Sequence, residues 1–351
     1  MIFIGKPKYS NQELNVEQVI DACLPIKDYV EEDYGRLASK TVKSAQRKKR
    51  IQSYISTITR MERKYNNKAR TASLWELQDI LNTEEVTKKQ SFNVDLVDYL
   101  YKERFCVKSK EGKKPPRQEE YRCTIKRQAS GICPYCGKPE DTSSFRIDHF
   151  LPKSEYPVFA LTPVNLVPCC SECNEKKGRK IPWRIPGGST HGIVNSKDNY
   201  VQLPHPYYDN FGDVVWIKAD LKEVKIDETS SEYSFEFYSY RPDNWSDAKY
   251  TEIYTRCSEH FEFFGLKERF REDSAVEIKD IREKAMKFCK CSANYDVFYD
   301  CAKLYYESNC DALSSSGENG WRKVCRRALF DTNNEACTSF WKGIWKKAHP
   351  A

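Results

Sequence analysis

No stretch of this sequence approaches the ~20 consecutive apolar residues that a membrane-spanning helix requires, which excludes a helical integral membrane protein. The opening MIFIGKPKYS lacks the apolar core and small-residue cleavage site of a secretory leader, so a cytosolic chain is expected. Internal repeats and long low-complexity tracts are missing as well, which argues against solenoid architecture. What is present is enough to fold. Apolar residues make up 39% of the 351, ruling out a disordered chain and suiting two or three packed units.

Acids are scarce in two places. Lys and Arg total 58 against 51 Asp and Glu, a net charge of only +7, but the excess is uneven. Arg36–Arg70 holds twelve basic residues and one acid, Glu62; Lys102–Arg127 holds ten basic residues and four acids. Isolated Lys and Arg are usually a solvated helix face. Runs this one-sided repel themselves unless a polyanion relieves them, and they point to a nucleic-acid surface.

The first segment, residues 1–116, reads as helical. Ile51, Tyr54, Ile55, Ile58 and Met61 follow one helix face, while Arg47, Lys48, Lys49 and Arg50 lie mostly off it and are expected to contact nucleic acid. Shorter helical patterns run near Leu74–Leu81 and Val94–Tyr101, and the basic Gly/Pro linker Lys108–Arg117 suits a boundary. A central module spans residues 117–187. The third segment, 188–351, begins with short strands at Val214–Ile217, Val224–Ile226 and Tyr233–Tyr240, then turns helical from Trp245. The expected class is α+β: mainly helical flanks around a small metal-stabilised module.

Fifteen cysteines would invite disulfides in a secreted chain, but reduced thiols in the cytosol more often hold metal. Two C-x-x-C pairs occur, Cys133/Cys136 and Cys170/Cys173. Four thiolates from two such pairs make the tetrahedral sulfur shell that zinc prefers, and Gly137 permits the tight turn. Cys169 is an alternative ligand, but only Cys170 has the right separation from Cys173. Scattered cysteines such as Cys23, Cys257, Cys301 and Cys325 are expected to be small buried hydrophobes.

Between the pairs lie Ile147-Asp148-His149-Phe150-Leu151-Pro152, then Asn165-Leu166-Val167, then Asn174-Glu175-Lys176-Lys177-Gly178. Arg146–Phe150 reads as a strand, Asn165–Val167 as its return, and Ser171–Lys177 as a helix start. That order brings Asp148, His149 and Asn174 to one surface. The pattern C-P-Y-C-G, D-H, N-L, C-x-x-C-N-x-x-K-G resembles the HNH (ββα-metal) endonucleases, specifically their four-cysteine zinc-bearing branch. HNH proteins of prokaryotic anti-phage defence systems, the Septu type among them, share the layout more loosely. The third letter of the motif is Asn174 here, a variant the family tolerates.

The residue types suit phosphodiester hydrolysis, which needs an activated water and neutralised phosphoryl charge. A neutral His149 can take the water's proton. Asp148 and the Asn174 amide offer hard oxygens for Mg²⁺ or Mn²⁺. The resemblance implies that Asn165 holds the loop and fixes the His149 ring. Lys176, Lys177, Arg179 and Lys180 would meet phosphates. His205, in a rigid Leu203-Pro-His-Pro-Tyr-Tyr turn, is expected to be structural.

The leading reading is a DNA-cutting endonuclease with structural Zn²⁺ and catalytic Mg²⁺ or Mn²⁺, RNA remaining open as substrate. A rival is a zinc-stabilised nucleic-acid-binding protein without catalysis, which has no reason to keep Asp148-His149 and Asn174 in register. A third is a defence effector released by a partner such as an ATPase.

Overall fold

A computed structural model describes residues 6–23, 56, 59–60, 62–63, 100–106, 117–182, 203–209, 217–226, 231–241, 248–312 and 319–350. The chain divides into two compact units, Met1–Asn210 and Phe211–Ala351. The first of these units holds both the N-terminal helix and the central module.

The first unit opens with a hairpin of β1 (Lys8–Tyr9) and β2 (Gln12–Glu13), turned by Ser10 and Asn11 at positive φ. Helix α1 (Val16–Cys23) begins at a reciprocal cap. Asn15 Oδ1 accepts the Gln18 N–H at 2.9 Å, and Gln18 Oε1 accepts the Asn15 N–H at 3.0 Å. Val16, Val19, Ile20 and Cys23 are buried. Ser56, Thr59, Arg60, Glu62 and Arg63 are helical, and the lone acid of the Arg36–Arg70 run turns inward. Both Glu62 oxygens lie 3.0 Å from the Val16 N–H at the start of α1. The rest of the basic stripe, with Arg47, Lys48, Lys49 and Arg50, lies outside the described residues, as does Leu74–Leu81.

Where a helical pattern was expected to end at Tyr101, a π-helical turn covers Leu100–Phe105. It packs against α1 and against α2 (Arg117–Arg127), which buries Tyr121, Thr124 and Ile125. The central module then follows as β3 (Arg146–His149), β4 (Leu166–Cys169) and α3 (Ser171–Lys177). The strands are antiparallel, with Arg146 opposite Cys169 and His149 opposite Leu166, and α3 packs on β3. Every residue of β4 is buried, because α2 covers it.

The second unit corrects the strand boundaries. Ile217–Lys225 is one nine-residue strand, β5, paired through its length with β6 (Ser231–Ser239). Lys218, Asp220, Lys222 and Glu223 had hidden it, yet Ala219 and Leu221 alternate inward against Phe235 and Phe237. Among the described residues of this unit five helices follow: α4 (Ala248–Phe263), α5 (Leu266–Lys290), α6 (Tyr295–Ala312), α7 (Asn319–Ala328) and α8 (Glu335–Ala348). Their core is aromatic, with Trp341 stacked on Phe330 at 5.0 Å. Cys301 on α6 is exposed rather than a buried hydrophobe, whereas Cys23, Cys257 and Cys325 are buried as expected. Among the described residues no helix is long and apolar enough to cross a membrane.

Candidate active site and metal centre

The sulfurs of Cys133, Cys136, Cys170 and Cys173 all lie within 4.8 Å of one another, and all four residues are buried. A zinc ion holding four sulfurs at ~2.3 Å requires them about 3.8 Å apart. Cys136 Sγ and Cys170 Sγ are 3.8 Å apart. The Cys170 N–H points at Cys133 Sγ and the Cys173 N–H at Cys170 Sγ, each at 3.4 Å. Such donors favour thiolate over thiol. Burial pushes the Cys133 thiol up, while hydrogen bonds from Cys133, Cys136 and Cys173 draw Cys170 down. Four sulfurs this close and this buried suit a dication, so the donor set fits zinc. Gly137 turns the first knuckle at φ 75°, and its N–H donates to Cys133 O at 2.8 Å. Cys170 rather than Cys169 joins the group and caps α3.

Alternation along β3 sends Asp148 and His149 to opposite sides. Asp148 turns inward and is only 5% exposed. Its Oδ2 accepts a 2.8 Å hydrogen bond from the Tyr135 hydroxyl, and Lys177 Nζ lies 3.0 Å from the same oxygen. Lys177 Nζ also donates to Asp148 Oδ1 at 3.2 Å and to the His149 carbonyl at 2.7 Å. Burial pushes the Tyr135 phenol far above its ordinary range, so it stays a donor.

This corrects one expectation. Lys177 does not meet phosphates from the surface; it is 0% exposed and serves as the internal cation of Asp148. Lys176 and Arg179 are exposed and Lys180 half-buried, at the end of α3. Asn174 lies one helical turn before Lys177, which places it on the face of α3 turned to β3.

His149 Nε2 lies 3.1 Å from the Ala160 carbonyl. A carbonyl only accepts, so that nitrogen carries the proton in the neutral ring and Nδ1 keeps its lone pair. Asn165 is buried and pins the loop that carries Ala160. Its Oδ1 accepts the Leu151 N–H at 2.7 Å, and its Nδ2 donates to Leu151 O at 3.1 Å and Phe159 O at 3.0 Å. It therefore bears on His149 through the loop. His205 is buried, with its ring 4.2 Å from Phe150 and its Nδ1 accepting the Tyr207 N–H at 3.1 Å.

Reading the sequence missed Tyr135 as a partner of Asp148, the inward turn of Lys177 and the Ala160 carbonyl. Tyr135 stood between two zinc ligands, but nothing in C-P-Y-C-G says where a phenol points.

Residues 133–180 match the HNH endonuclease family. The matched residues include the four-cysteine cluster, Asp148, His149, Asn165 and Asn174. The chain is 28% identical to Protein ea31 of Escherichia phage lambda over 219 residues, 60% of this chain and 64% of that protein. It is 42% identical to Septu protein PtuB of Bacillus thuringiensis over 73 residues, 20% of this chain and 28% of that protein. The chain thus spans less than two thirds of either relative. No solved structure matches it.

Proposed function

We propose that the protein is a metal-dependent endonuclease that hydrolyses phosphodiester bonds in DNA. The observation that carries this reading is the His149 imidazole, whose Nε2 meets Ala160 O so that the lone pair of the neutral ring sits on Nδ1, beside Asp148 on the same strand. His149 Nδ1 takes a proton from the attacking water. Asp148 and Asn174 would hold Mg²⁺ or Mn²⁺, which supplies charge neutralisation at the phosphoryl oxygens. Asn165 keeps the Ala160 loop, and hence the ring, in place. Lys176, Arg179, Lys180 and the Arg47–Arg50 group hold the nucleic-acid backbone.

The likeness to a Septu protein supports a role in anti-phage defence, with cutting controlled by a regulatory partner such as an ATPase. The rival reading, a zinc-stabilised binder without catalysis, has one observation in its favour: Lys177 already answers the charge of Asp148.

Purified protein incubated with plasmid DNA, or with an RNA oligomer, and Mg²⁺, Mn²⁺ or chelator separates the two. The expected result is metal-dependent DNA cleavage, slowed ~10²–10⁴-fold by His149→Ala with zinc content unchanged. Binding without cleavage would support the rival, and undiminished cutting by the variant would remove His149 as base.

A further inference from the structure

Outside residues 133–180, the Tyr101 side chain touches the candidate base. The Tyr101 ring lies 4.6 Å from the His149 ring, inclined at 58°. We propose that Tyr101 is a positioning residue of the active site, clamping the His149 imidazole against the Ala160 carbonyl. This rests on His149 acting as the base.

The turn that presents Tyr101 is built to hold it. The Cys106 N–H donates to Tyr101 O at 2.9 Å, five residues back, which closes the π-helical ring. Leu100 and Phe105 at its two ends are fully buried. The Arg122 guanidinium, on α2, donates to the Phe105 carbonyl. The Phe105 ring stands 5.8 Å from that of Tyr101. π-Helical turns are rare and are frequently found at functional sites.

Torsion about an imidazole's ring bond is broad, so rocking about the axis through a hydrogen-bonded nitrogen is limited by what packs against the ring. A base must keep its lone pair on the water, and displacement by about 1 Å can cost ~10²-fold in rate. An aromatic ring against the imidazole removes that freedom. The phenol keeps its proton, because burial pushes it far above the ordinary tyrosine range. The Lys153 ammonium sits 5.0 Å over the same ring, a cation–π contact that also holds it.

The test compares Tyr101→Ala, Tyr101→Leu and Tyr101→Phe in the full chain, with His149→Ala alongside. Tyr101→Ala and Tyr101→Leu are expected to lower kcat ~10–100-fold with KM for DNA changed less than about twofold. Tyr101→Phe should retain kcat within about threefold, because the ring and not the hydroxyl acts. The NMR signals of the His149 ring protons, shifted by the neighbouring ring, should stay in Tyr101→Phe and move in Tyr101→Leu. Leucine fills the volume, so it decides the matter if Tyr101→Ala fails to fold. Wild-type kcat in Tyr101→Leu while His149→Ala is inactive would overturn the clamp alone. A loss in Tyr101→Phe equal to that in Tyr101→Leu would overturn it too. Undiminished cutting by His149→Ala would instead overturn the reading beneath it.

Discussion

The Tyr135 hydroxyl, set between two zinc-knuckle cysteines, donates a 2.8 Å hydrogen bond to Asp148 Oδ2. The four-cysteine cluster and the candidate catalytic carboxylate are thereby joined through a buried side chain.

Tyr135→Phe should therefore act on the catalytic metal and not on zinc. Removing a partner that orients a ligating carboxylate costs ~10–100-fold in metal affinity or activity. The Mg²⁺ concentration for half-maximal cleavage is expected to rise by about tenfold or more, with zinc content unchanged. An unaltered Mg²⁺ titration would reduce Tyr135 to a packing residue.

Lys177→Met leaves the Asp148 carboxylate buried without its cation. Losing one partner of such a pair costs about 3–5 kcal/mol. A divalent ion held by Asp148 and Asn174 would restore the missing charge. The variant should melt well below wild type in chelator and recover more than wild type when Mg²⁺ is added. Thermal melts with and without the ion check this; equal Mg²⁺ shifts in both proteins would place the ion elsewhere.

Zinc should be present at about one per chain by element analysis. Cys133→Ser and Cys173→Ser are expected to give insoluble or protease-sensitive protein, since metal binding supplies much of the local folding energy. Cleavage should be lost with it, because Cys170 caps the helix that carries Asn174. Soluble, zinc-free, active variants would dissolve the assignment.

Glu62 predicts a pH dependence in the first unit. Burial pushes its carboxyl from 4.5 up to about 7, against the opposing pull of the Val16 N–H. The folded chain therefore binds this proton more tightly than the unfolded one. The full stabilisation is present below about pH 4.5 and is lost as pH rises through about 7, on the order of 3 kcal/mol in all. Hydrogen exchange of the α1 amides should be slower at pH 5 than at pH 8, after correction for intrinsic rates. Glu62→Gln should flatten the difference. Equal protection at both pH values would show that the cap does not titrate in this window.

Much of the central module was legible because its determinants are local. The spacing of Cys133, Cys136, Cys170 and Cys173 reports a tetrahedral sulfur shell, and two-residue alternation separates Asp148 from His149 in any strand. The strand, return and helix start read at Arg146–Phe150, Asn165–Val167 and Ser171–Lys177 lie close to β3, β4 and α3. Long-range partners were not legible. Glu62 read as a stray acid in a basic run until Val16 was seen beside it, and Lys177 as one more surface lysine. Tyr101 closed an ordinary helical pattern, although its ring meets His149. Whether a lysine faces phosphate or a buried carboxylate, and whether a tyrosine ends a helix or flanks a base, depends on chain segments distant in sequence. Burial and electrostatics act through space, so only the packed structure decides them.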